Sequence, residues 1–255
     1  MNAPTLNAWT GEAAGYGTTT DALNLRARTS QQPHAASHPR GHPAPYNSAL
    51  LPIFVAMLLP ARPLLILDPF AGSGRIHRLR GLLPGVITIG SELEPEWGRL
   101  SSPTATANAL RLPFPTNAFD AIVTSPTYGN RMADHHHARD AGPRHTYRHA
   151  LGRPLHAENS GAMQWGDAYR AFHVAAWTEA RRVLRPGGVF LLNVKDHIRH
   201  GVRQEVSAWH VEALCGLGFA EITRVAVPCP GQRHGANGRL RVDYEWVIRF
   251  VRAAG

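Results

Sequence analysis

The chain of 255 residues is poor in cysteine, in lysine and in long apolar runs, and each shortage excludes something. Two cysteines, Cys215 and Cys229, cannot build a disulfide framework or, by themselves, a thiolate zinc site. A reducing, cytoplasmic setting is the expectation. No apolar run approaches the roughly 20 residues that span a bilayer, so no membrane partner is expected. The opening MNAPTLNAWTGEAAGYG also lacks the basic start and apolar stretch of a secretory signal. Lysine occurs once, at Lys195, so the excess of 27 Lys and Arg over 18 Asp and Glu rests on arginine. A codon bias toward arginine explains that exchange but not the net charge of +9. The sign points to a polyanionic partner, and the planar arginine fork suits phosphates and base edges.

Residues 1–44 are rich in Ala, Thr, Ser, Gln, Pro and Gly without periodicity and read as a disordered arm, leaving 45–255 as one domain. NSALLPIFVAMLL predicts a buried helix ending at Pro60. PLLILD predicts a buried strand, followed by a glycine turn into a helix. VITIG (86–90), FDAIVTSP (119–126) and GGVFLLNV (187–194) read as further strands, with the helix AFHVAAWTEARRVL stopped by RPGG. A helix over 203–217 precedes EITRVAVP and LRVDYEWVIRFVR, a closing antiparallel pair. Strands alternating with helices predict an α/β, doubly wound, mainly parallel Rossmann-like sheet with a C-terminal antiparallel hairpin. Ligands would then bind at the strand carboxyl ends.

The most informative stretch is Asp68-Pro69-Phe70-Ala71-Gly72-Ser73-Gly74. Glycines at 72 and 74 let the backbone turn tightly and approach a ligand at a helix N-terminus. A dinucleotide fingerprint would need a third glycine, and positions 72–77 read G-S-G-R-I-H. DPFAGSG after an apolar strand resembles the first motif of S-adenosylmethionine-dependent methyltransferases, in the subgroup that modifies exocyclic amino groups of DNA bases. The family usually has Thr where this chain has Arg75. The resemblance implies S-adenosylmethionine as cofactor, with Asp68 near its methionine moiety and the Gly72/Gly74 turn close to it. It implies that Glu92 takes the ribose hydroxyls, with Glu94 as a possible substitute, and that Asn108 and Ala109 hold the adenine ring where the family usually has Asp. HPAPY (42–46) with the following helix is similar to the family's N-terminal cofactor motif.

Thr124-Ser125-Pro126-Thr127-Tyr128 follows a strand-like run. A base amine is a poor nucleophile because its lone pair is delocalised into the ring. Acceptors for its N–H groups draw the nitrogen toward a tetrahedral geometry. Ser125 offers a side-chain oxygen, Pro126 a carbonyl and Tyr128 a stacking face for a flipped base. The stretch is similar to the S/D/N-P-P-Y/F motif of amino-methyltransferases, with Thr127 in place of the second proline. A first-position Ser is closer to the N4-cytosine type than to the N6-adenine type. Neither cysteine lies near this segment, which argues against C5-cytosine chemistry through a thiolate.

Residues 129–165 form a polar, His- and Arg-rich insert, in which Arg131, Arg139, Arg144, Arg148 and Arg153 are expected to touch phosphate. Tyr147 or Trp165 could stack on an exposed base. Asp134-His135-His136-His137 offers metal-ligand chemistry, but consecutive residues cannot all face one ion, so no metal is expected. The expected activity is DNA methylation at cytosine N4 or adenine N6. An RNA enzyme acting on an amine such as guanine N2 is the alternative, and a nucleic-acid-binding protein with a vestigial cofactor fold is a third.

Overall fold

The computed structural model of the chain describes residues 42–43, 47–58, 64–129, 146–229 and 238–254. The expected arm, apart from 42–43, lies outside them, as do Arg131, Arg139, Arg144 and residues 231–237 of the GQRHGANGR segment.

Helix α1 (Leu50–Leu58) precedes β1 (Leu65–Asp68), a 3₁₀ helix (Arg75–Gly81) and β2 (Ile87–Glu92). The short α2 (Pro95–Gly98), β3 (Thr104–Thr106), β4 (Phe119–Thr124) and α3 (Tyr147–Leu151) follow. Helix α4 (Asp167–Val183) then leads into β5 (Leu184–Val194). Strands β6 (His197–Arg199) and β7 (Val202–Gln204), helix α5 (Val206–Gly216), β8 (Phe219–Pro228) and β9 (Tyr244–Arg252) complete the fold. Seven strands form one sheet in the order β3-β2-β1-β4-β5-β9-β8. β1 through β5 pair in parallel, while β9 is antiparallel to both β5 and β8. The order reverses between β1 and β4, which in open α/β sheets is where ligands bind.

Alternation along the central strands divides the core into two layers. Phe190, Leu192 and Val194 of β5 join Trp177 and Ala180 of α4 and Leu214 of α5 on one face. On the other face Leu191 joins Ile66, Val123 and Val247 under Phe54 and Ile53 of α1. Both faces are covered, which is why β1 and β4 read as continuous apolar runs.

Three boundaries differ from the sequence expectation, each for a local reason. The segment after the glycine turn is a 3₁₀ helix and not an α-helix. Its two buried side chains, Ile76 and Leu79, are three residues apart and so share one face at three residues per turn. Residues 202–204 are not helical: His200 and Gly201 both hold positive φ, and this two-residue turn pairs 197–199 with 202–204 as a hairpin. β5 begins at Leu184, before RPGG, because Phe119 pairs with Leu184 while Ala121 pairs with Val189, leaving an irregularity between. Asp120 sits at that point, accepting from Leu65 N at 2.8 Å and ion-pairing with Arg185.

Phe190 is fully buried between Trp177, Phe219 and Phe250. Phe190→Ala should lower the unfolding free energy in a urea titration by about 3–5 kcal/mol. Val202→Ala, on the exposed hairpin, should change it by less than about 0.5 kcal/mol.

Candidate active site

The loops after β1, β2, β3, β4 and β5 open on one cavity of about 370 Å³. Pro69, Phe70, Ala71, Gly72, Glu92, Asn108 and Ala109 line one part of it, and Ser125, Pro126 and Tyr128 another. The structure therefore brings two motifs, separated by about fifty residues in the chain, into a single chamber.

At the first end, Glu92 closes β2 and is almost wholly buried. Its Oε2 accepts from Gly72 N at 2.8 Å and its Oε1 from Glu94 N at 2.9 Å. Burial pushes its carboxyl up to about 7 against these two hydrogen bonds. A carboxylate has about four lone-pair sites, so each oxygen retains one for a ligand such as a vicinal diol. Gly72 has φ +52°, and a Cβ there would come within 3.2 Å of the His42 ring. That ring packs on Trp97 and Tyr147, forming an aromatic wall.

Three of the expected cofactor residues make bonds or contacts that serve the fold. Asp68 does not line the cavity; it is fully buried, and its Oδ1 accepts from Phe70 N at 3.0 Å and from Thr124 Oγ1 at 2.8 Å. Burial pushes its carboxyl up to about 7, with both hydrogen bonds opposing. It joins the turn after β1 to the end of β4. Gly74 also lies outside the lining, and a Cβ there would clash with Ser101, whose hydroxyl bonds to Ser73 O. Its small size serves packing. Asn108 does line the cavity, but its Oδ1 accepts from Leu110 N and its Nδ2 donates to Glu158 Oε2, both at 2.9 Å. An Asx turn takes one lone pair of the oxygen expected to face adenine, and Glu158 places a carboxylate at that wall.

At the second end, Ser125 and Tyr128 converge on Asn193 at the end of β5. Each hydroxyl lies 2.8 Å from Asn193 Oδ1, and the two lie 2.9 Å apart. Two protons serve three contacts, so both hydroxyl oxygens keep lone-pair capacity for an incoming N–H. Asn193 Nδ2 is tied to Trp246 O at 3.2 Å. Thr127, in place of the second proline, is held by its own bonds. Its hydroxyl donates to Ser160 Oγ at 3.0 Å, and its carbonyl accepts from Tyr169 Oη at 2.6 Å. Behind Tyr169, Trp177 Nε1–H donates to His210 Nδ1 at 3.0 Å, which leaves the imidazole proton on Nε2 to donate to Tyr169 Oη at 3.1 Å. Burial holds His210 well below its ordinary pKa, so the ring is neutral and the chain has one direction.

Sequence reasoning missed Asn193, Glu158 and Glu245, all of which line the cavity. A lone Asn in the apolar run FLLNV and a Glu in YEWVIRF were the available signals. The described part of the insert is also more structural than expected. Arg153 is not available to phosphate as read: its Nη2 pairs with Glu94 at 2.7 Å and with Glu96 at 2.6 Å. Glu94 is buried and also accepts from His156 N and Asn159 Nδ2, so it anchors this loop instead of facing a ligand. Tyr147 is buried in the aromatic wall instead of presenting an open stacking face. Trp165 packs on Tyr169 and Trp209, with the Arg170 guanidinium over its ring. Arg148 is exposed.

Two measurements test this geometry. Tyr169→Phe leaves the Thr127 carbonyl and the His210 N–H without their partner, and should cost about 1–3 kcal/mol of stability. It should lower turnover while leaving ligand affinity at the Glu92 end intact. The second concerns pH. Glu92 has a folded pKa raised above its unfolded value, so its contribution is present at low pH and lost as pH rises from about 4.5 toward about 7. Comparing Glu92→Gln with the parent chain isolates that group from the buried histidines. The melting-temperature difference should shift in favour of the variant between pH 4 and pH 8.

No family model matches the chain, and no curated protein matches it. Solved structures do resemble it. A methyltransferase of Methanosarcina mazei described as SAM-dependent aligns with a TM-score of 0.52 at 13% identity, covering 83% of this chain and all of that one. The [4+2]-cyclase SpnF aligns at 0.53 and 15% identity, over 92% and 93% of the two chains. A geranyl diphosphate methyltransferase in complex with GPP and sinefungin aligns at 0.53 and 14% identity, over 81% and 77%. These likenesses establish a Rossmann-like fold of the methyltransferase type. They leave the reaction to the residues of the site.

Proposed function

We propose that the chain is an S-adenosylmethionine-dependent methyltransferase acting on the exocyclic amino group of a base in DNA, cytosine N4 or adenine N6. The observation that carries this reading is the single cavity joining the Gly72/Glu92 turn to the Ser125–Tyr128–Asn193 cluster. The first end fits the cofactor. Glu92 retains acceptor capacity for a ribose hydroxyl, Gly72 lines the cavity beside it, and Ala109 with the Asn108–Glu158 pair borders the adenine edge. When bound, the cofactor supplies an electrophilic methyl group on a sulfonium sulfur.

The chain's own residues then prepare the amine. Ser125 Oγ and the Pro126 carbonyl accept its N–H groups, withdrawing the nitrogen from conjugation with the ring. Tyr128 supports the base on its face, and its hydroxyl is held by Asn193, so the acceptors are oriented before substrate arrives. Thr127 keeps this loop in place through Tyr169 and His210. The net charge of +9 favours a polyanionic substrate. Among the described residues no helix is long and apolar enough to cross a membrane.

Mass spectrometry of nucleosides from DNA and RNA incubated with the chain and methyl donor tests the reading. N4-methylcytosine or N6-methyladenine in DNA is the expected product. N2-methylguanine in RNA would transfer the same site to the other polymer, and no methylated base in either would overturn the proposal. Ser125→Ala and Tyr128→Ala should each lose methyl transfer by at least about 10²-fold. Calorimetric affinity for S-adenosylhomocysteine should stay within a factor of three, because both act on the base and not on the methyl donor.

A further inference from the structure

The motif of the proposed amine site supplies neutral acceptors only, yet the cavity also holds a carboxylate that no motif contains. Glu245 lies near the start of β9, 95% removed from solvent, and lines the same cavity as Ser125, Tyr128 and Asn193. Among the described residues its Oε1 has no hydrogen-bond partner. A buried carboxylate oxygen left unpaired is costly, and in native structures a catalytic role, a water or an ion accounts for such a group. Its position follows from register. Val194, the last residue of β5, pairs with Trp246, so Lys195 just after β5 and Glu245 just before Trp246 follow that pair. Asn193, Lys195 and Glu245 all line the cavity. The carboxylate therefore stands beside the Asn193 amide that organises Ser125 and Tyr128.

We propose that Glu245 is the base that receives the proton released when the substrate amine, held by Ser125 and Pro126, is methylated. The inference rests on the amino-methyl-transfer reading above. The step balances as follows: the nitrogen lone pair forms the N–C bond, the S–C bond breaks with its electron pair retained by sulfur, and one N–H proton passes to the Glu245 carboxylate. Ser125 cannot perform this last part, since a serine hydroxyl accepts a hydrogen bond but is far too weak a base to hold the proton. A carboxylate can, and more readily when its affinity for protons is raised.

The surroundings suit that role. Burial pushes the Glu245 carboxyl above its ordinary range, opposed by the neighbouring polar side chains of Asn193, Asn47 and Tyr128 and by the charge of Lys195. The titratable groups that face it are Lys195 just after β5, Tyr128 from the loop after β4 and Cys229 beyond β8, whose thiol is itself pushed up by burial and by Glu245. Lys195 Nζ donates to the Cys229 carbonyl at 3.1 Å, which places its charge at the cavity wall. Asn47 lies just ahead of α1.

Glu245→Gln preserves shape and an acceptor oxygen while removing the base. The parent chain and the variant would be compared on the nucleic acid that the parent methylates. The readouts are turnover and KM across pH 5–9, anisotropy of the oligonucleotide with S-adenosylhomocysteine present, and thermal melting. The expected result is a fall in kcat of roughly 10²-fold or more, with KM, oligonucleotide affinity and melting temperature nearly unchanged. The rise in kcat with pH on the acid side, present in the parent, should vanish in the variant. Ser125→Ala should keep that rise at reduced kcat. A variant within threefold of the parent, with the same pH profile, overturns the role of Glu245 and leaves the amine reading standing. A parent chain that methylates no base overturns both.

Discussion

The hydrogen bond from Thr124 to Asp68 is the joint on which the site depends. It connects the last residue of β1 to the last residue of β4, the two strands between which the sheet order reverses. Both partners are fully buried, so neither can exchange its bond for one to water. Asp68 also holds the Phe70 N–H and so shapes the turn that follows β1. One carboxyl thus sets the distance between the proposed cofactor turn and the loop that begins at Ser125. Its influence on the chemistry comes through position, since it does not line the cavity.

Around this joint the loops are held by side chains. Where a second proline would stiffen the segment after β4, Thr127 is restrained from outside. Trp177, His210 and Tyr169 form a one-way chain of donors ending on its carbonyl. The arrangement is rigid only while His210 stays neutral, and burial among aromatic rings ensures that it does. On the opposite wall, Glu94 gathers Arg153, His156 and Asn159 and presses the segment before α4 against α2. Polar residues that read as a solvated, phosphate-facing loop are in part a structural clamp.

The alternation of apolar strands and helices was legible because strands covered on both faces are apolar throughout. The closing antiparallel pair was legible from its length and its β-branched content. The boundaries that moved are those where local geometry outweighs pattern: a three-residue spacing of Ile76 and Leu79, a two-residue turn at His200-Gly201, and the offset pairing beside Asp120. In the site, Gly72, Glu92, Ser125 and Tyr128 stood out because their chemistry is compressed into short motifs next to strand ends. Asn193 and Glu245 stood apart from those motifs and had no neighbours in sequence to mark them.

What the sequence determined alone is the set of parts: a parallel α/β sheet, a glycine turn followed by an acidic strand end, and a Ser-Pro-Thr-Tyr segment at a third strand end. Those follow from periodicity and residue chemistry over stretches of ten residues or fewer. Which polar groups are spent on the fold and which remain for a ligand was decided only by the tertiary structure. Arg153 and Glu94 read as free charges until they met, and Asp68 read as a ligand contact until Thr124 closed over it. Glu245 read as one carboxylate in a strand, until antiparallel pairing brought it to the amine end of the cavity with an oxygen left unpaired. A hydrogen-bonding group can be satisfied by any partner that packing brings within about 3 Å, and the partners here lie up to 192 residues away along the chain.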